Sequence, residues 1–485
     1  MVRLCRAAKR SFRWSRWGER GSLLLLAALC ATAARSQQNT PAQPTLPTQT
    51  GNPDAQEPGL HVATGSVIGD EADQTQHMLN LIADLQFHHL EELLTNARTG
   101  KIRMQATDRQ FLKGILANRE NRPEESIRAL APLIDSIAAS GNVTEEKLAR
   151  QALAEDYLRS GNLAEAASAY AALDKRLHGR LTPDEMSDLE QPLKLLPLVT
   201  DHPAMTVERG APFSLPYQLD PLGLTDIPVF VDGVSRSWML DPTEPFNLIS
   251  RTTAREVGLT LSTETATIHS LTGKAMVVHA TVIPRLTLGS VTYRNMTAFV
   301  FEDADFAFPD SDYQVRGVLG YPTVSALGSL TVNSDATIDV QPGTGGTKPT
   351  NGAPFYMDGE RVLAALGKPD GSDDRLYEID AAGQQSYLSS RFFSEHSSAF
   401  ANGKLQLLRL TGMEDAPPVP AYLAETVRLQ IGEQTVALHE IQVLTQPLGA
   451  AASDDTYGTL GVDALQQLDS YTFDYRTMRF CVTTH

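Results

Sequence analysis

Two stretches of this chain repeat one pattern in one register, and that duplication limits the folds open to it. The first stretch reads Trp238-Met239-Leu240-Asp241 and then Phe246-Asn247-Leu248-Ile249-Ser250. The second reads Leu376-Tyr377-Glu378-Ile379-Asp380 and then Gln385-Ser386-Tyr387-Leu388-Ser389. In each, an apolar strand delivers an aspartate to a tight turn, and a second strand ends in serine. A Leu-Thr-Gly turn follows, with Gly273 and Gly412 each 32 residues beyond their aspartate. Gly317-Val318-Leu319-Gly320 then begins 76 residues after Asp241, and Gly458-Thr459-Leu460-Gly461 begins 78 after Asp380. Leu288-Gly289 and Ile431-Gly432 mark hairpins in between. Short alternating runs separated by Gly, Asn and Pro make both halves β-structured.

The rest of the chain reads differently. Basic residues from Arg3 to Arg20 precede the run Gly21 to Ala34, GSLLLLAALCATAA, which has the form of a secretory signal cleaved after Ala33 or Ser36. Its apolar core is too short for a stable transmembrane helix, with a retained membrane anchor as the second reading, and no later segment is long enough to span a bilayer. The expected location is therefore exported, periplasmic or extracellular. Removing eight Lys/Arg and one acid takes the formal charge from −17 to about −24. That excludes nucleic acid as a partner, because phosphate binding needs a basic face. Of Cys5, Cys30 and Cys481, only Cys481 lies beyond the signal, which leaves no intrachain disulfide and no cysteine-based zinc site.

Residues 37–72 are rich in Pro, Gln and Thr early on and read as a disordered linker. Residues 73–200 are helical. FLKGILANRENRPEESIRAL from Phe111 and ALAEDYLRSGNLAEAASAYAAL from Ala152 each read as helix, polar turn, helix. The pair resembles tetratricopeptide repeats with a longer period, and that resemblance implies a protein partner held by the helices. A plain helical bundle fits the same residues. The β halves occupy 201–342 and 357–485, joined by a linker at 343–356.

The order of apolar strand, aspartate turn, strand, hairpin and Leu-Gly motif resembles pepsin- and retropepsin-like aspartic proteases. The resemblance covers about 227–340 and 376–482. It implies a multidomain chain: an all-α helical repeat followed by an all-β, two-lobed aspartic-protease-like domain. It further implies that Asp241 and Asp380 meet in one cleft and hydrolyse peptide bonds with an activated water, with no metal or organic cofactor. Gly273 and Gly412 become flap and substrate-binding positions, and the ligand becomes a peptide or protein. Both motifs depart from the family's Asp-Thr-Gly. The first is Asp241-Pro242-Thr243, and the second is Asp380-Ala381-Ala382-Gly383. Pro242 removes an N–H. Thr243 offers a hydroxyl one position late, and Gly383 offers late backbone freedom. A catalytically inactive pseudoprotease that binds peptides is the second reading. Asp454, Asp455 and Asp463 cluster near the second Leu-Gly motif and read as loop acids.

Overall fold

The structure, a computed structural model, describes residues 71–484 apart from 270–273, 309–312, 347–351, 368–372, 374, 410–417 and 449–453. The expected signal lies outside the described residues, as do Gly273 and Gly412. The linker expected at 37–72 lies outside them up to residue 70, and its last two residues already belong to the helix Glu71–Ala83. No helix among the described residues is long and apolar enough to cross a membrane.

Helices run from Glu71 to Val199. Ala106–Arg119 and Pro123–Leu130 form one pair, and Val143–Arg159 and Leu163–Leu177 form another. Their ends follow local chemistry. Pro123 occupies a first-turn position where its missing N–H costs nothing, with Glu124 and Glu125 beside it against the positive helix end. The Asn142 side chain accepts from Glu145 N–H and starts the longest helix among the described residues. Asn121 and Gly161, at φ 52° and 72°, reverse the chain between partners.

The first β half closes on itself. The strand Thr225–Val231 turns tightly at Asp232-Gly233, both at positive φ, into Val234–Leu240. The hydrogen-bonded order then runs through Gly317–Leu319, Leu248–Ser250, Val291–Phe301 and Ala275–Leu288, which pairs back with Thr225–Val231. Ile227, Val229 and Val231 point into this barrel with period two. The second half repeats the order with Arg361–Ala365, Leu376–Ile379, Gly458–Leu460, Tyr387–Leu388, Gln434–Leu444 and Val419–Ile431. Among the described residues its closing pair, Arg361–Ala365 with Val419–Ile431, is not formed.

One sheet crosses from half to half. Ser329–Asn333 pairs with Thr337–Gln341 on one side and with Ser470–Asp474 on the other. The linker expected at 343–356 therefore ends early: Ala353–Asp358 is a strand, paired with Arg361–Ala365 and with Arg479–Thr483. Its apolar side chains fill the core under that shared sheet, which a solvated linker could not do.

The helices pack on both halves. Leu173, Leu177 and Leu195 share an apolar cluster with Phe246, Ile268 and Phe299 of the first. Phe87 packs on Tyr356 of the second, ring centroids 4.6 Å apart and both side chains buried. Arg119 contacts Asp358 at 3.0 Å, and Tyr321 donates to Asn121 at 2.6 Å. Phe87→Ala is expected to cost roughly 3–5 kcal/mol in chemical denaturation, because the cavity opens inside this junction. A loss under about 1 kcal/mol would mean that the helices are not tied to the second half.

Candidate active site

The two aspartates sit at matching points of the duplicated frame. Asp241 follows Val234–Leu240, and its N–H donates to Leu319 O at 3.0 Å. Asp380 follows Leu376–Ile379, and its N–H donates to Leu460 O at 3.0 Å. Behind each turn a glycine is gripped the same way. Gly320 N–H donates to Asn247 Oδ1 at 3.1 Å, and Gly461 N–H donates to Ser386 Oγ at 2.8 Å. The next residue closes each loop, Tyr321 N–H onto Glu244 O at 2.7 Å and Val462 N–H onto Gly383 O at 2.8 Å.

The departures from Asp-Thr-Gly are absorbed one residue later. Asp241 Oδ1 accepts from Thr243 N–H at 2.9 Å, from Thr243 O–H at 2.7 Å and from Glu244 N–H at 3.1 Å. Asp380 Oδ1 accepts from Ala382 N–H at 3.1 Å and from Gly383 N–H at 2.7 Å. Pro242 and Ala381 are thus bypassed, and each carboxylate is held by two backbone donors. A Cβ at Gly383 would overlap Asp380 Oδ2, so the glycine there is needed for space.

Both carboxyls are buried, at 0% and 1% exposure. Burial holds Asp241 above its ordinary value, against the donors from Thr243 and Glu244. Burial pushes Asp380 well above its ordinary value, and the Asp241 charge adds to this, followed by that of Glu378. Asp241 Oδ2 is buried and accepts no hydrogen bond among the described residues. The halves also touch at Gln384, which donates to Leu222 O at 3.2 Å, and at Gln466, which donates to Gly223 O at 3.1 Å.

Two carboxyls here were missed by sequence reasoning. Glu244 is buried beside Asp241, raised well above its ordinary value by burial, then by Asp241 and Glu360. It occupies the repeat position of Gly383, so aligning the halves residue by residue is the signal that would have exposed it. Glu378 is buried two residues before Asp380 in an otherwise apolar strand. The cluster of later acids is spoken for. Asp455 pairs with Arg361 at 2.9 Å, Asp454 accepts from Ser390 at 2.7 Å, and Asp463 accepts from Ser386. No group of three or more metal-binding side chains forms among the described residues.

Residues 227–323 match the family model for aspartyl proteases, a span that holds Asp241 but not Asp380. That match supports a peptidase-like domain of the aspartic type. Among solved structures the chain is similar to a retropepsin-like aspartic protease from Rickettsia conorii. The identity is 13%, over 29% of this chain and 95% of that one, with a TM-score of 0.19. No curated protein matches the chain.

Proposed function

We propose that the chain is an exported aspartic endopeptidase in which Asp241 and Asp380 form the catalytic pair. The observation that carries this reading is the matched cradle: two backbone N–H groups on one oxygen of each aspartate, with the Asp241 charge felt at Asp380. Neighbouring buried carboxyls do not both ionise, so the pair retains a proton. Asp380, whose Oδ1 accepts two hydrogen bonds against three at Asp241, is the less stabilised anion and the proton holder. Asp241 is the base that takes a proton from water as that water attacks the peptide carbonyl. The proton on Asp380 then supports the developing oxyanion. The substrate is a peptide or protein in the cleft between the halves, with Thr243 and Gly383 shaping its floor. The helices, read as tetratricopeptide-like, recruit a protein partner.

The second reading is a peptide-binding pseudoprotease, and Glu244 favours it. A bulky acid replaces the small residue that its counterpart Gly383 supplies, and adds a third carboxyl to the seam. Purified chain incubated with unfolded protein from acidic to neutral pH separates the two readings. Cleavage that a transition-state mimic blocks supports the first. Peptide binding with no cleavage at any pH supports the second.

The pH profile gives a sharper test. Activity needs one proton on the pair, so the alkaline limb follows the higher-lying group, Asp380. Because its carboxyl is raised, the limb is expected above the range where an ordinary aspartate loses its proton. Glu378→Gln removes one of the charges that raise it. The limb of kcat/KM is then expected to move to lower pH, and an unmoved limb would contradict the assignment of Asp380 as proton holder.

A further inference from the structure

A loop of the first half, residues 220–224, reaches onto the turn of the second half that carries Asp380. It is closed by Asp220 N–H on Leu224 O and by Gly223 N–H on Asp220 O, each at 2.9 Å. Asp220 Oδ1 fills its centre, accepting from Leu222 N–H at 2.8 Å and from Leu224 N–H at 2.9 Å. Its carbonyls face the other half. Leu222 O accepts from the Gln384 side chain at 3.2 Å, and Gly223 O accepts from that of Gln466 at 3.1 Å. Gln384 directly follows Gly383, whose N–H donates to Asp380 and whose carbonyl accepts from Val462 N–H. The loop therefore braces the Asp380 turn from the opposite half.

Behind the loop, two acids share one hydroxyl. Asp220 is 9% exposed, and its Oδ2 accepts no hydrogen bond among the described residues. Tyr313 Oη lies 3.4 Å from Asp226 Oδ2 and interacts with Asp220 as well. Burial, then the charges of Asp226 and Asp220, raise the Tyr313 hydroxyl, so it keeps its proton. One hydroxyl proton cannot serve two carboxylates. A proton on Asp226 completes the chain: Asp226 O–H donates to Tyr313 Oη, and Tyr313 O–H donates to Asp220 Oδ2. Asp220 is the anion of the pair, because two N–H groups already hold its Oδ1. Burial pushes Asp226 up to about 6, and the Asp220 charge adds to this, against hydrogen bonds from Tyr313 and Ser237. The charged groups of the surrounding elements face one another instead. Of the strands flanking Asp226, Gln218–Leu219 carries no charge, and Val234–Leu240 carries Arg236, 3.3 Å from Glu256. On the Tyr313 side, Arg316 acts on Asp303, and Lys274 pairs with Asp305 at 2.9 Å. On the second half, Gln384 and Gln466 are neutral, and Asp463 accepts from Ser386.

We propose that Asp220, Tyr313 and Asp226 form a proton-operated brace for the Asp380 turn: with a proton on Asp226 the loop seats against Gln384 and Gln466, and loss of that proton to solvent unseats it. Without the proton, Tyr313 O–H serves one carboxylate, the other keeps no donor, and two like charges share the site. Because Asp226 is raised in the seated loop, seating is fully favoured below the ordinary aspartate range and is lost as pH rises through about 6. The Asp380 turn is thus held in acid and loosened at neutral pH. The consequence for cleavage rests on the peptidase reading, and the brace itself does not.

Amide hydrogen exchange tests the brace, read by mass spectrometry on the full chain carrying Asp241→Asn so that no cleavage enters. Protection of residues 220–224, corrected for the intrinsic pH dependence of exchange, is expected to fall at least about tenfold from about pH 4 to about pH 7. Protection of residues 382–384 is expected to fall with it. Asp226→Asn donates its amide N–H to Tyr313 at every pH, and is expected to keep both segments protected at about pH 7. Asp220→Asn removes the same repulsion and keeps an acceptor for the N–H groups of Leu222 and Leu224, so it serves if Asp226→Asn fails to fold. Tyr313→Phe breaks the chain and is expected to leave 220–224 weakly protected at both pH values. Protection that does not change with pH overturns the proposal, as does a fall that survives in both asparagine variants. A fall at 220–224 that leaves 382–384 unchanged also overturns it, because the loop would then have no hold on the Asp380 turn. Failure of the peptidase reading shows separately, as absence of cleavage by the unsubstituted chain.

Discussion

Asp241→Asn is expected to reduce peptide cleavage by about a thousandfold or more while leaving the fold intact. The amide oxygen of asparagine takes over the three donors that now converge on Asp241 Oδ1, from Thr243 N–H, Thr243 O–H and Glu244 N–H. The turn therefore keeps its shape. The chemistry does not survive, because a neutral amide accepts no proton from water. The substitution also removes a charge that raises Asp380, so Asp380 ionises more readily and the shared proton is lost from both sides of the pair. Thermal melting checks the first half of this statement, with the midpoint expected within about 3 °C of the unsubstituted chain. A fluorogenic peptide assay checks the second. Cleavage that persists in Asp241→Asn would place the chemistry elsewhere and remove the dyad assignment.

How much of this was legible in the sequence depends on the range of the contacts. The duplicated register was legible because each feature is local: alternating strands, an aspartate turn, a glycine 76 or 78 residues on. The serine ends were readable too, since Ser250 and Ser389 each accept from the N–H three residues later and cap a short helix. The repair of the aspartate turns was only half visible. Thr243 and Gly383 could be named from their positions, but which N–H groups turn toward the carboxylate depends on loop geometry. Glu244 stayed hidden because an acid after Asp-Pro-Thr reads as a solvated turn residue until the two halves are aligned position by position. The helical clamp was not legible at all. Tyr321 meets Asn121 across 200 residues of sequence, and Phe87 meets Tyr356 across more. No periodicity encodes such partners. The linker end at 353–356 failed for a related reason: the Gly/Pro/Thr texture runs directly into a strand whose partner lies at the C-terminal end.

Gly320→Ala is expected to be the most damaging single methyl addition in the first half. The φ and ψ of Gly320, −82° and −179°, suit any residue, so backbone conformation is not the obstacle. Space is. An added Cβ would land on the Phe246 carbonyl oxygen and 2.6 Å from that of Glu244. Both are backbone atoms, and no side-chain rotation relieves the overlap. Glu244 O also accepts from Tyr321 N–H, and Glu244 N–H donates to Asp241, so movement there reaches the candidate site within one residue. Overpacking of this kind costs about 3 kcal/mol or more, which lowers the melting midpoint of a chain this long by roughly 4 °C. Cleavage is expected to fall further than stability alone explains, because Asp241 loses its fixed orientation. Gly461→Ala in the second half meets Gly383 O at 2.6 Å and the Gln385 carbonyl at 3.0 Å, and is expected to follow with a smaller loss. Gly179→Ala is the control in the same chain. An added Cβ there meets nothing within 4 Å, so the melting midpoint is expected to stay or rise slightly. If Gly320→Ala melted and cleaved like Gly179→Ala, the close packing of the Leu-Gly motif against the aspartate turn would be wrong, and with it the frame that positions Asp241.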